Sequence, residues 1–151
     1  MKVKWLLLSL FLSNNAVSET RHKVISKQLI QNSIVASIPF NFDSAKLSRK
    51  ETKALKHVAY LSKKEPNIKI ILTGNTDNIG DYKYNQELGL ERALSAVGFL
   101  EKEFGISREN MLVRSRGAMD PITSNKTSMG RNLNRRVDVY FPEYRSDINI
   151  R

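Results

Sequence analysis

The sequence predicts an α+β or α/β sandwich of order βαβαββ, in which a four-stranded mixed sheet carries two main helices on one face. Three observations lead there. The hydrophobic period switches between two and about 3.6 residues along the chain, so strands and helices alternate. Capping and stop residues sit where the period switches. Each of the two helical stretches separates a pair of strands, and helices that connect strands of one sheet pack against it.

Each element has its own warrant. From Ser33 the period is two: Ile34, Ala36, Ile38, Phe40 and Phe42 fall on one side, and Val35, Ser37, Pro39 and Asn41 on the other. That is a strand with one buried face. Pro39 has no N–H to give to a ladder, so the strand is expected near a sheet edge or locally unpaired there. Ser48 with Glu51 three residues later forms a capping box and predicts a helix over Arg49 to Lys64. Leu55, Val58, Ala59 and Ser62 make its inner stripe with Leu61 beside it, while Lys50, Lys53, Lys56, His57 and Lys63 face water. Pro66 ends it. Ile68 to Gly74 is apolar on both sides near its end, the mark of a central strand. Asp81 caps a long helix from Tyr82 to about Glu103, with Gly105 as its stop and Ala93, Val97, Leu100 and Phe104 inward. Met111 to Arg116 reads as a third strand. Gly117 to Leu133 is polar, with one helical turn near Ser128 to Leu133. Arg135 to Phe141 is the last strand, with Val137, Val139 and Phe141 inward.

The flanks carry other signals. Met1 to Lys4 is basic, Trp5 to Leu12 is apolar except for Ser9, and Ala16-Val17-Ser18 offers small residues for a signal peptidase. The expectation is a secretory signal at 1–18, cleaved after Ser18. The apolar run is shorter than the roughly 20 residues that span a bilayer, so no transmembrane segment is expected after cleavage. A basic lead-in arm follows at 19–32, the domain at 33–142 and a polar tail at 143–151.

Composition excludes whole classes of chemistry. The 151 residues contain no cysteine, which removes a disulfide framework, a thiolate metal site, a cysteine nucleophile and a lipidated N-terminal cysteine. With two histidines, His22 and His57, a multi-histidine metal site is not expected either, and no cofactor is. Lys+Arg is 25 against Asp+Glu 15, a formal charge of +10 that suits an anionic partner. For an exported chain that partner is an envelope polymer or surface, with no nucleic acid.

Three polar clusters lie between the patterned elements: Asp43; Thr76-Asp77-Asn78 with Tyr84, Asn85 and Arg92; and Asn134-Arg135-Arg136. Asn85 and Arg92 are two helical turns apart, on one face, with Gly89 leaving a shallow notch between them. Asp77 stands four residues before the helix cap and can return to that face. A carboxylate and a guanidinium beside a notch hold a zwitterion, one taking its ammonium and the other its carboxylate. From spacing alone a second reading stands beside this one. Asp77 closes an Asx-turn, Asn78 and Gly80 shape the loop, Arg92 pairs on the surface, and Arg135-Arg136 is a solvated charge run.

These same residues resemble a family. Phe40-Asn41-Phe42-Asp43-Ser44, Gly74 through Gly80, Tyr84-Asn85, Leu88, Arg92-Ala93, Ser115-Arg116-Gly117 with Pro121, and Asn134-Arg135-Arg136-Val137 are similar, in order, to the OmpA-like peptidoglycan-binding domain. The likeness runs from about Ile38 to Phe141. It selects α+β as the fold class and implies binding of peptidoglycan at the diaminopimelate of its stem peptide. Asp77 matches the residue that takes the ammonium and Arg92 the one that takes the carboxylate. Asn85 and Arg135 match pocket residues, Asn78 offers a loop amide, and Asp43 matches a position beside the groove. Asn75 stands where the family usually has histidine, and Gly89 where many members have serine. The resemblance implies a periplasmic protein at the cell wall and outer membrane, with outer-membrane or envelope-complex proteins as further partners; the alternative it leaves open is an accessory subunit of a flagellar stator, a secretion apparatus or a conjugation apparatus.

Two other functions fit the residues less well. A peptidoglycan hydrolase would have only Asp43 with Asp77 as a carboxylate pair. A basic protein for nucleic acid or anionic lipid would order its cations on one face, whereas the lysines are spread over the first helix, the arm and the last loop. Substitution of Asp77 or Arg92 by alanine is expected to remove binding and spare the fold.

Overall fold

A computed structural model describes residues 34–142. The expected signal segment, the basic arm and the polar tail lie outside the described residues. Element order is β1 (Ile34–Pro39), α1 (Arg49–Lys64), β2 (Ile70–Asn75), α2 (Tyr82–Phe104), a short 3-10 turn (Arg108–Asn110), β3 (Met111–Gly117), α3 (Ser128–Asn134) and β4 (Arg136–Tyr140). The strands form one sheet in the order β1-β4-β2-β3. β4 runs antiparallel to both β1 and β2, and β2 runs parallel to β3, so the sheet is mixed as expected. β1 is an edge, which is where Pro39 belongs, and β2 is internal.

Both long helices begin and end on sequence-coded chemistry. Glu51 accepts from the Ser48 backbone N–H at 2.9 Å and the Ser48 hydroxyl caps the Lys50 N–H, so α1 starts where the capping box puts it. Its buried residues are Leu55, Val58, Ala59, Leu61 and Ser62. The Asp81 carboxylate accepts from the Tyr84 N–H at 2.8 Å to start α2, and Gly105 closes it in the left-handed conformation at φ 67°. The core lies between sheet and helices: Ile38 and Phe40 from β1 and its exit, Ile70 and Leu72, Val137, Val139 and Phe141, against Leu55, Val58, Ala93, Val97 and Leu100. Phe104 is half-buried and meets Phe99 edge-on at 5.8 Å.

Two features depart from the sequence reading. The inward alternation of β1 fails at both ends: Ile34, beyond a shift in the register with β4, is 47% exposed, and the pattern stops at Phe40. Asp43 adopts φ 50°, the chain turns out of the sheet, and Phe42 is 57% exposed instead of buried. The other departure is on the sheet face away from the helices. Arg136 and Asp138 alternate with the apolar residues of β4 and are nevertheless 3% and 1% exposed. They form an ion pair at 2.9 Å, and Asp138 also accepts from Asn75 Nδ2 at 3.2 Å and Ser37 Oγ at 3.0 Å. Arg136 donates onward to the Asp120 carbonyl at 3.2 Å. Arg136 is therefore part of a buried polar brace and not of a solvated run.

Candidate functional site

The sheet brings the carboxyl ends of β1 and β2 and the amino end of β4 to one edge, and α2 begins there. The loops leaving those strands enclose a cleft of about 160 Å³, with Asp43, Asp77, Asn85, Arg92 and Arg135 among its lining residues. Five of the six expected site residues are thus brought together. Asn78 is exposed and does not line the cleft.

The long helix is held against β2 by a glycine pair. A Cβ on Gly74 would stand 1.7 Å from the Gly89 carbonyl oxygen, and one on Gly89 would stand 2.3 Å from Ser115 Oγ. Gly89 therefore faces the sheet and makes no ligand notch. It lets α2 sit low enough for Arg92 to reach beneath the loops.

Arg92 is wholly buried. Its Nε donates to the Ser44 carbonyl at 2.9 Å, Nη1 to Asn75 at 2.9 Å and Nη2 to Asn41 at 3.0 Å, and the guanidinium lies 5.6 Å from the Phe40 ring centre. Burial first, and the neighbouring Arg135 second, pull its pKa down to about 10, so it stays charged at neutral pH. A guanidinium has five N–H donors; three are spent on carbonyls, one each on Nε, Nη1 and Nη2. The sequence reading had Arg92 as a clamp half, dispensable for folding. It is the floor of the cleft and ties the β1 exit loop to the end of β2, so alanine there must also cost stability.

Asp77 is 3% exposed. Its Oδ1 accepts from the Ile79 N–H at 3.1 Å, an Asx-turn, and its Oδ2 accepts from Arg135 Nη1 at 2.9 Å. The partner of Asp77 is thus Arg135 rather than Arg92, and Asp77 does close the Asx-turn. Arg135 also donates to Asn132 Oδ1 at 2.8 Å and to the Phe40 carbonyl at 3.2 Å. Asp43 accepts a hydrogen bond from the Tyr84 hydroxyl. Asn85 donates to the Gly80 carbonyl at 3.3 Å, and its Oδ1 is buried without a partner among the described residues. An acceptor of this kind is normally satisfied, by protein, water or ligand.

Two guanidinium groups and two carboxylates therefore share one cleft, with apolar side chains at its mouth: Phe42, Ile79 at 47% and Tyr84 at 43% exposure. This matches a small zwitterion carried on an apolar stem. The sequence reading missed Phe42, which its strand pattern assigned to the core, and Ile79. The signal for Phe42 was its place directly before the Asp43-Ser44 turn.

At residues 39–135 the chain matches the profile of the OmpA family. It is 37% identical over 100 residues to outer membrane protein A of Bordetella avium, covering 66% of this chain and 51% of that protein. It is 32% identical over 102 residues to the peptidoglycan-binding protein ArfA of Mycobacterium tuberculosis, covering 68% of this chain and 31% of ArfA. The chain thus spans about half the length of the first relative and about a third of the second. Among solved structures, the peptidoglycan-associated lipoprotein of Burkholderia pseudomallei superposes with a TM-score of 0.66 at 29% identity, covering 70% of this chain and 89% of that one.

Proposed function

The chain belongs to the OmpA family, and from that premise we propose that its domain binds peptidoglycan without turnover, taking the diaminopimelate end of a stem peptide into the cleft. The observation that carries this is the charge balance of the cleft, with Asp77 and Arg92 both buried and Asn85 Oδ1 left without a partner. In this reading the side-chain ammonium of diaminopimelate meets Asp77 and Asn85 Oδ1. Its carboxylate is drawn to the Arg92 and Arg135 side, where one N–H on each of Nη1 and Nη2 of Arg92 is not used by the carbonyls. Phe42, Ile79 and Tyr84 cover the methylene stem. A hydrolase would need one of the two carboxylates as an acid or base, but Asp77 is tied to Arg135 and Asp43 to Tyr84. Relatives named for the outer membrane and for peptidoglycan binding support a place in the cell envelope, holding the wall to the outer membrane or to an envelope complex.

Titration calorimetry with matched muropeptides tests the site. A lysine-type stem lacks the side-chain carboxylate and leaves the arginine side of the cleft unanswered. Diaminopimelate-type fragments should bind at least about tenfold tighter, a gap of roughly 1.4 kcal/mol. Asp77→Asn keeps the side-chain shape and removes the charge, and should weaken diaminopimelate binding by about ten- to a hundredfold, as for loss of a charge-assisted hydrogen bond. Equal affinities for the two stem types would overturn the reading.

A further inference from the structure

The outward face of α1 is densely cationic. Arg49, Lys50, Lys53, Lys56, Lys63 and Lys64 are all exposed, as are His57 and Tyr60 among them. At 3.6 residues per turn these eight positions fall within an arc of about 140°, and the 16-residue helix is about 24 Å long. The lysines that look scattered in sequence are therefore ordered on one strip. The only acid in α1, Glu51, is turned into the N-cap, where it accepts from Ser48. Among the described residues no ion pair is recorded for Arg49, Lys50, Lys53, Lys56 or Lys63. Tyr60, 57% exposed in the middle of the strip, carries Lys64 Nζ 4.5 Å from its ring centre.

The geometry points to an anionic phospholipid surface as the partner of this face. The strip is straight, convex and built from lysine in five of its six cations, so it reads charge density and not the shape of one anion; the planar guanidinium that pairs bidentately with a single phosphate occurs once. Basic residues near an anionic leaflet are attracted additively. A tyrosine with an apolar ring and a polar tip is a side chain suited to headgroup depth. Nucleic acid would favour a groove or several stacking aromatics, and α1 presents neither. The strip shares no residue with the cleft, so a domain lying with α1 on a membrane leaves the cleft free for the wall. This inference stands or falls apart from peptidoglycan binding.

The test is sedimentation of the full chain with vesicles made with and without phosphatidylglycerol, at low and high salt. Two triple variants accompany it. K50E/K53E/K56E reverses the strip in the first half of α1, where acids favour the helix dipole. K83E/K102E/K126E makes the same charge change at exposed positions elsewhere. All proteins share the same termini, so any contribution from these cancels. The expected result is salt-sensitive binding to phosphatidylglycerol vesicles alone, weakened at least about tenfold by the first triple and much less by the second. The proposal is overturned if the wild type ignores these vesicles, or if both triples lose binding equally. It is also overturned if a duplex oligonucleotide binds tighter than the vesicles and is lost on the same three reversals.

Discussion

Adding one methyl group at Gly74 should damage both the fold and the cleft. The new Cβ would lie 1.7 Å from the Gly89 carbonyl oxygen, 2.5 Å from its carbon and 3.0 Å from its Cα. All three atoms are backbone, so no rotamer change relieves the clash. Ordinary contact begins at 3.4 Å, so α2 must retreat from β2 by about 1.7 Å, well past the fractions of an ångström that packed interiors absorb. Overpacking of this kind costs about 3 kcal/mol or somewhat more. At about 4–8 °C per kcal/mol for a domain near this size, Gly74→Ala should melt at least about 12 °C below wild type. Gly98 supplies the matched control. It lies on the same helix, a Cβ there meets nothing within 4 Å, and exchanging glycine for alanine in a helix interior gains about 0.5–1 kcal/mol. Thermal melts followed by circular dichroism should therefore move in opposite directions for the two variants. If Gly74→Ala melts within about 2 °C of wild type, the close approach of α2 to β2 is not what holds the helix in place.

Arg92→Ala should destabilise the domain by about 3–5 kcal/mol in urea titration, because it deprives three backbone carbonyls of a charged donor, and Arg92→Lys should recover only a minor part of that since one ammonium cannot reproduce the planar fork. Asp138→Ala should cost about 3–5 kcal/mol in the same assay by leaving the Arg136 guanidinium buried without its counter-charge, with muropeptide binding by the folded fraction unchanged.

What was legible in the sequence was whatever local chemistry encodes. Helix α1 begins and ends where expected because Ser48 and Glu51 cap each other and Pro66 stops the run. Helix α2 runs one residue beyond its expected end, because Asp81 and Gly105 bracket it. The inner stripes followed from period alone. What escaped depends on partners far along the chain. Phe42 keeps the alternation of a strand, and only the left-handed turn at Asp43 takes it out. Arg136 and Asp138 look like solvent-facing alternation, and only Asn75, Ser37 and Asp120 around them show that they are buried. At the cleft, five of the six residues expected together do lie together, but their pairing was not legible. Asp77 and Arg92 stand close in sequence, whereas the contact that forms is between Asp77 and Arg135, 58 positions apart. Gly89 suggested an open notch because its neighbour, Gly74, belongs to another element.

The strand order also bears on when the domain can form. Among the described residues β1 finds its only neighbour in β4, and their cross-strand bond from Ser37 to Asp138 closes a separation of 101 residues. Until the last strand has been synthesised, the earlier part of the chain can join only β2 to β3. The parallel pair waits without the strand that sits between it and β1, and the loop carrying Arg135 has not yet met Asp77. Closing such distant contacts is the slow part of folding. The cleft is thus among the last features to assemble, and it stays incomplete until the final strand is inserted. Order of arrival along the chain, and not the strength of local contacts alone, then sets when the cleft becomes whole.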